Sequence, residues 1–246
     1  MDVNKKRELF YPTSNKRPYE PEKLDMTYQL SRTEVLKRLM TGDRQTIIIT
    51  YPEALTEKVI TKNYLSRNIM KLKQGEQVSF EFVSDLLVEF EFESVEFVAE
   101  PGQFAIRGGI VDVFSFSNDH PYRIEFFSDT VESIRTFDPV SQLSIQNMNR
   151  ISLLPNVQDR KIEEKRVGFF EYMPSKTVCW LHDIDFTIER IDKEFNKANE
   201  TYKRFGKKME QAEPGVLFIN RKQFIEQIDL FRTIEFGHSS YYKTKK

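Results

Sequence analysis

The chain has 246 residues, 39% of them hydrophobic and 30% charged, which is enough for one or two domains with a substantial core. Its 37 basic and 38 acidic side chains leave a formal charge of −1, which excludes the whole-molecule attraction that drives non-specific nucleic-acid binding. A single cysteine, Cys179, excludes an internal disulfide framework and fits a reducing compartment. Because no apolar run approaches the ~18 residues that span a bilayer, we predict a cytoplasmic protein with no membrane contact.

The first stretch, residues 1–61, is predicted to contain a helix followed by a strand. Residues 31–40 have helical periodicity, with Ser31 and Glu34 spaced as a capping box. Residues 46–50 form a continuous β-branched apolar run, which is typical of a strand covered on both faces of a parallel sheet. This order is typical of an α/β domain, but the stretch supplies too few strands to complete one. We therefore expect it to be part of a larger domain.

The second stretch, residues 62–156, is predicted to be a compact α+β module with an antiparallel meander. Along residues 122–127, an apolar set (Tyr122, Ile124, Phe126) alternates with a mostly charged set (Arg123, Glu125, Phe127), as in a half-buried strand. Turn-forming Gly, Pro, Asn and Asp separate such runs. Residues 78–82 also alternate and indicate a strand. Ser84 and Asp85 are then placed to cap a short helix that ends at Phe90.

The third stretch, residues 157–246, begins with an apolar strand predicted at 177–181 and continues with a long helix. Asp185 is placed to cap that helix, and residues 216–219 indicate another buried strand. The helix has apolar residues at alternating spacings of three and four, which either pack on their own domain or form a partner-binding coiled coil. These residues are Ile188, Ile191, Phe195, Ala198, Tyr202 and Phe205.

The sequence contains no constellation that predicts catalysis or a bound cofactor. Its three histidines are far apart and have no second His or Cys at metal-binding spacing. Neither a nucleophile elbow nor a phosphate-binding loop is present. His182 to Asp185 follows an apolar strand, where nucleotide hydrolases place a magnesium-binding acid, but no phosphate loop accompanies it. We predict no catalytic residue, no metal and no cofactor.

Carboxylates in the middle stretch are predicted to have structural roles and no catalytic one. Asp112 and Glu125 lie in successive predicted strands, and arginines occupy positions 107, 123 and 135. Opposite charges on facing strands stabilise a sheet, so these carboxylates are expected either to lie on a solvated face or to be cross-strand partners of the arginines. We assign no general acid or base among them.

The same strands predict a protein-binding surface. If they pair in sequence order, Arg107 and the Glu125-Phe126-Phe127 segment share one region, and arginine beside aromatic rings is typical of binding hot spots. The two phenylalanines lie on opposite faces of their strand, so one ring can face solvent and mark an interface. The alternative is that one ring lies in the core and a neighbouring domain covers the other.

Residues 100–144 resemble the UvrA-interaction module shared by the excision-repair protein UvrB and bacterial transcription-repair coupling factors. The resemblance rests on Pro-Gly-x-Phe-x-x-Arg-Gly at 101–108, and on Arg-Thr-Phe-Asp at 135–138 followed by Gln-x-Ser at 142–144. These two motifs are closer to the coupling factors than to UvrB. Weaker similarity to the flanking helicase-like subdomain extends over residues 46–55 and 169–181.

This resemblance implies an α/β fold with an inserted α+β antiparallel-sheet domain. Residues 1–61 and 157–246 would form an incomplete RecA-like parallel sheet, and residues 62–156 would be the UvrA-interaction domain. The phosphate loop would lie upstream of Met1, so the chain is similar to a non-catalytic fragment. The full-length parent would be an ATP-dependent DNA translocase with RNA polymerase and double-stranded DNA as further partners.

The implied function is docking, in which the chain recruits UvrA in transcription-coupled nucleotide excision repair. Residues carried over to the UvrA-facing surface are Arg107, Arg123, Glu125, Phe126 and Phe127. UvrB has further arginines where this chain has Ser94 and Ala105, so Arg123 would supply part of the charge. The alternative is a fragment of a UvrB-type ATP-dependent enzyme that clamps damaged DNA. The short segment at 9–26 and His182, which departs from the UvrB motif, argue against that alternative.

Overall fold

Two folded units make up the computed structural model, which describes residues 8–14, 26–42, 46–116, 118–154, 166–205 and 212–237. The first unit comprises Met1–Lys62 with Gln158–Lys246, and the second comprises Asn63–Val157. Both combine helices with strands, and several of the strand pairings are antiparallel, so the fold is mixed α and β. Within the described ranges, no helix is both long enough and apolar enough to cross a bilayer.

The first unit opens with two parallel strands joined through a helix. In chain order these elements are β1 (Glu8–Tyr11), α1 (Met26–Thr41) and β2 (Ile47–Thr50). Leu9 and Tyr11 are buried on one side of this pair, whereas Ile47 and Ile49 are exposed. The predicted strand is therefore present, but the prediction that both its faces are covered is wrong, because the described segments pack against only one of them.

Helix α1 begins at Met26, so the capping box predicted at Ser31 and Glu34 is wrong. Ser31 lies inside the helix, and its hydroxyl donates a hydrogen bond to the Thr27 carbonyl at 2.9 Å. A serine in a helix often bonds the preceding turn in this way, so its spacing to Glu34 does not mark the helix start.

A buried arginine ties α1 to the strand that precedes it. The Arg32 guanidinium pairs with Glu57 at 3.3 Å, donates to the Pro12 carbonyl at 2.6 Å and lies 4.3 Å above the Tyr11 ring centre. The Glu57 carboxylate also accepts a hydrogen bond from the Ser14 backbone at 3.0 Å. A buried charge with this many partners is stabilised in place.

The rest of the first unit consists of short helices, one long helix and two further strand pairs. Its strands are β3 (Val59–Ile60), antiparallel to β12 (Arg166–Val167), and β13 (Val178–His182), parallel to β14 (Arg232–Phe236). Its helices are α2 (Pro52–Thr56), a 3-10 turn (Phe169–Tyr172), α5 (Ile184–Arg204), α6 (Pro214–Leu217) and α7 (Arg221–Ile228).

The long helix α5 has the predicted apolar stripe but a different cap. Asp183, rather than Asp185, accepts a hydrogen bond from the Phe186 backbone at 3.1 Å and starts the helix. The strand predicted at 216–219 is wrong, because that segment contributes to the short helix α6. Pro214 at its first position presets a helical φ and needs no backbone donor there. Buried members of the α5 stripe include Ile188, Ile191 and Ala198.

The second unit is built on a six-stranded sheet in the order β10-β9-β8-β7-β6-β5, antiparallel except for β5 and β6. The strands of this sheet are β5 (Glu93–Ser94), β6 (Gln103–Arg107), β7 (Ile110–Val113), β8 (Tyr122–Phe127), β9 (Thr130–Phe137) and β10 (Ser144–Asn147). The remaining elements are α3 (Lys62–Arg67), which begins at the unit boundary, β4 (Met70–Lys73), α4 (Phe80–Glu89) and β11 (Arg150–Leu153), with β4 and β11 forming an antiparallel pair.

Helix α4 covers one face of this sheet. Val83 and Leu87 lie one turn apart and are fully buried in a cluster with residues of β6 to β9. The helix starts at Ser79, whose hydroxyl accepts a hydrogen bond from the Phe82 backbone at 3.1 Å. The strand predicted at 78–82 and the cap predicted at Ser84 and Asp85 are therefore wrong, because Ser79 caps the helix earlier.

Gly102 is predicted to be essential for the packing of the second unit. Its φ is +87°, and a Cβ there would lie 2.5 Å from the buried Phe116 ring. Gly102→Ala therefore combines backbone strain with a steric clash, and we expect about 2–4 kcal/mol of destabilisation. Urea unfolding measures the loss.

Gly75→Ala is the matched control, because Gly75 has a φ of +81° but open space around its Cβ position. We expect it to lose only about 1 kcal/mol, from the left-handed backbone. An equal loss in the two variants would show that the ring contact has no energetic consequence.

Candidate protein-binding surface

The six-stranded sheet has a core face, packed against α4, and an opposite face that we call the outer face. Paired residues Val111, Ile124 and Ile134 point to the core and are essentially inaccessible. Their neighbours point the other way because side chains alternate along a strand. Asp112 is consequently paired with Arg123, so both lie on the outer face.

Asp112 holds two arginines on the outer face. Its side chain is 0% exposed, and its oxygens accept bonds from Arg123 Nε at 2.7 Å and Arg123 Nη2 at 2.8 Å. Arg107 Nη2 also donates to one of these oxygens. Hydrogen bonding to Asp112 raises the pKa of Arg123 above its ordinary value. The predicted cross-strand pairing is present, and the buried carboxylate fixes both cations.

A second ion pair lies beside the first. Arg135 donates to one oxygen of Glu125 at 2.5 Å, and the Ser133 hydroxyl donates to the other at 2.5 Å. The Arg135 bond, followed by the Ser133 bond, lowers the pKa of Glu125 below its ordinary value. We call the whole network the arginine–carboxylate row, and its members are Arg107, Asp112, Arg123, Glu125 and Arg135.

The two adjacent phenylalanines of β8 have opposite environments. Phe126 is 9% exposed and packs edge-to-face against Phe80 at 5.5 Å between ring centres, so it belongs to the core. Phe127 is 75% exposed. The inclusion of Phe126 in the predicted contact surface is therefore corrected: its ring is not available to a partner, whereas the ring of Phe127 is.

Arg107 and Phe127 lie at the same end of the sheet. Arg107 precedes the turn from β6 to β7, Phe127 precedes the turn from β8 to β9, and successive antiparallel strands bring these turns side by side. The Phe126 backbone donates to the Gly109 carbonyl at 2.8 Å, and a Cβ on Gly109 would lie 2.8 Å from the Phe126 oxygen. The absence of a side chain at Gly109 permits this close approach.

Phe97 is a surface residue that the sequence did not identify as part of the site. Its ring is 58% exposed and lies 5.2 Å from the Arg107 guanidinium carbon. The neighbouring Val95 and Val98 pack over a small apolar cluster on the sheet, which leaves Phe97 pointing outward. Residues 95–98 belong to no strand or helix, so no periodicity was available to predict this orientation.

Among the cations of the row, Arg107 is the best placed to contact another molecule. Its side chain is 37% exposed, whereas Arg123 is more deeply buried and lies 4.5 Å above the Phe137 ring centre. A guanidinium has five N–H donors, and contacts with Asp112 and the Glu96 carbonyl use only some of them. Three arginines against two carboxylates leave the row with one excess positive charge.

The other residues considered for chemistry lie elsewhere. His182 ends β13 and packs against Phe236 at 5.2 Å between ring centres, and Asp183 caps α5. Within the described ranges, no group of three or more His, Cys, Asp or Glu side chains is arranged to hold a metal ion. Among the described residues, Phe127 and Arg107 at one end of the sheet are therefore the best suited to bind a partner.

Comparison with known proteins connects this sheet to a repair family. Residues 70–158 match the family model described as the UvrB interaction domain. The chain is 31% identical over 149 residues to the transcription-repair-coupling factor of Myxococcus xanthus, which is 61% of this chain and 12% of that protein. It is 31% identical over 125 residues to the Escherichia coli factor, which is 51% of this chain and 11% of that protein.

The corresponding factor of Bacillus subtilis is 30% identical over 148 residues, which is 60% of this chain and 12% of that protein. The chain thus spans only a small part of the length of these relatives. All of the outer-face residues described above lie within the matched range of 70–158. The second unit therefore contains a UvrB interaction domain, and the chain resembles the UvrB-like module of the transcription-repair-coupling factors.

Proposed function

We propose that the chain is a non-catalytic docking region that recruits UvrA in transcription-coupled nucleotide excision repair. The observation that carries this proposal is the exposed Phe127 ring at the same sheet end as Arg107, within a UvrB interaction domain. Aromatic and arginine side chains dominate the binding energy of protein interfaces. The exposure of Phe127 beside Arg107 on the protein surface is best explained by a partner that covers both side chains.

The proposed contact has an apolar part and a polar part. Burial of the Phe127 ring removes a large apolar area from water, which contributes about 1.5–3 kcal/mol. The N–H donors that remain on Arg107 bond to acceptors on UvrA, and an anionic acceptor is favoured by the excess positive charge of the row. Arg123 and Glu125 lie beside this contact and complete its charge pattern.

The first unit is proposed to be part of a RecA-like domain that carries the docking module. Support comes from its parallel β1–β2 and β13–β14 pairs, each of which leaves apolar side chains exposed on one face. Parallel sheets are usually covered on both faces. From the resemblance to the transcription-repair-coupling factors, RNA polymerase and double-stranded DNA are the further proposed partners.

Phe127→Ala is expected to weaken UvrA binding about tenfold to hundredfold, because it removes the exposed ring at the proposed contact. The affinity of the full chain for purified UvrA is measured by calorimetry or biolayer interferometry. Phe82→Ala is the matched control: Phe82 is 55% exposed but belongs to α4, on the other side of the sheet. Equal affinities in the wild type and Phe127→Ala would refute the assigned surface.

Arg107→Ala is expected to weaken UvrA binding tenfold or more and to reduce its dependence on salt, since a charged contact is lost. Asp112 remains paired with Arg123 in this variant, so the fold is expected to persist. Arg150→Ala removes an exposed arginine from β11 of the same unit and controls for net charge. If Arg107→Ala and Arg150→Ala lose affinity equally, the loss reflects only the change in net charge, and Arg107 makes no specific contact.

A further inference from the structure

We infer that Asp112 is a positioning residue for partner binding and holds the Arg107 guanidinium in the orientation that UvrA recognises. This inference rests on the proposed function and adds to it a residue that does not itself touch the partner. Asp112 is 0% exposed, so no partner reaches its carboxylate while Arg107 and Arg123 keep their positions over it. Any influence of Asp112 on binding must therefore pass through the residues that it holds.

The geometry shows how that influence would reach the surface. Arg123 donates hydrogen bonds to both carboxylate oxygens of Asp112, at 2.7 Å and 2.8 Å, and Arg107 donates to one of the same oxygens. Arg107 is the more exposed of the two cations, and its other contacts are the Glu96 carbonyl at 3.2 Å and the Phe97 ring. Asp112 is thus the one anionic group that the described contacts give to Arg107.

Removal of the charge on Asp112 changes the balance of forces on Arg107. The guanidinium would then lie close to the like charge of Arg123 with no anion between them, so it would leave its present position for several solvent-exposed orientations. Binding would have to select one of these orientations again. The entropy of ordering an arginine side chain corresponds to roughly a fivefold to thirtyfold loss of affinity.

Asp112→Asn is the test variant, because it removes the charge and keeps the size of the side chain. The dissociation rate of the full chain from immobilised UvrA is measured, since this rate reports only on molecules that are folded and bound. We expect dissociation about fivefold to thirtyfold faster than in the wild type. Glu132→Gln, which removes an exposed carboxylate from β9 outside the row, is the matched control and is expected to leave the rate unchanged.

A double-mutant cycle separates positioning from a general loss of structure. If Asp112 acts through Arg107, then Asp112→Asn accelerates dissociation in the wild type, but by less than about twofold when Arg107→Ala is already present. An unchanged rate in the wild-type background, or the same acceleration in both backgrounds, would overturn the inference. If Arg107→Ala alone leaves UvrA affinity intact, the proposed surface fails and the inference fails with it.

A second comparison covers the case in which Asp112→Asn does not fold. Combining Asp112→Asn with Arg123→Gln removes one negative and one positive charge. The repulsion between the guanidinium groups of Arg107 and Arg123 is then absent. The reference is Arg123→Gln alone, in which Asp112 still holds Arg107. Faster dissociation of the combined variant than of this reference supports the positioning role, and equal rates overturn it.

Discussion

The buried carboxylate of Asp112 is the interaction on which the charged face of the second unit depends. Placing a carboxylate in a sheet with no access to water costs free energy unless other groups compensate for its lost hydration. Here three N–H groups from Arg107 and Arg123 do so. The two arginines are in turn fixed by the anion beneath them. Without Asp112, the like charges of Arg107 on β6 and Arg123 on β8 would face each other across β7 with no anion between them, so the arrangement of these two arginines follows from this single side chain.

The two faces of the sheet have different roles because side chains alternate along each strand. The core face receives α4 and a continuous apolar cluster, whereas the outer face has the arginine–carboxylate row. At one end of the sheet the tight turn at Gly109 draws β6, β7 and β8 together, which brings Arg107 and Phe127 to the same edge. A rigid sheet thus presents a ring and a cation in a fixed relation, as a preorganised binding surface requires.

Much of this site follows from the sequence, because a period of two determines which residues share a face. The sequence predicted cross-strand partners for Asp112 among Arg107, Arg123 and Arg135, and the register of the strands pairs it with Arg123. The family resemblance of residues 100–144 is confirmed by the match to the UvrB interaction domain. The pattern alone did not decide between Phe126 and Phe127, since either ring could have faced the core. The packing of Phe80 against Phe126 decides it, and that contact joins distant parts of the chain.

Predictions from local hydropathy patterns were wrong where a single nearby residue determined the start of a helix. The alternation at 78–82 indicated a strand, but Ser79 caps a helix that buries Val83 and Leu87. The apolar segment 216–219 consists of residues that favour strands, but it follows Pro214, which starts a short helix. In each case one capping or φ-restricted residue outweighed the hydropathy of the run that followed it.

Hydroxyl-radical footprinting of the full chain, with and without UvrA, tests the central claim most directly. It reports the solvent exposure of individual aromatic rings in the bound state. The account predicts that oxidation of Phe127 and Phe97 falls on addition of UvrA, while oxidation of Phe82 on the opposite side of the sheet does not change. Undiminished oxidation of Phe127 in a saturated complex would contradict it.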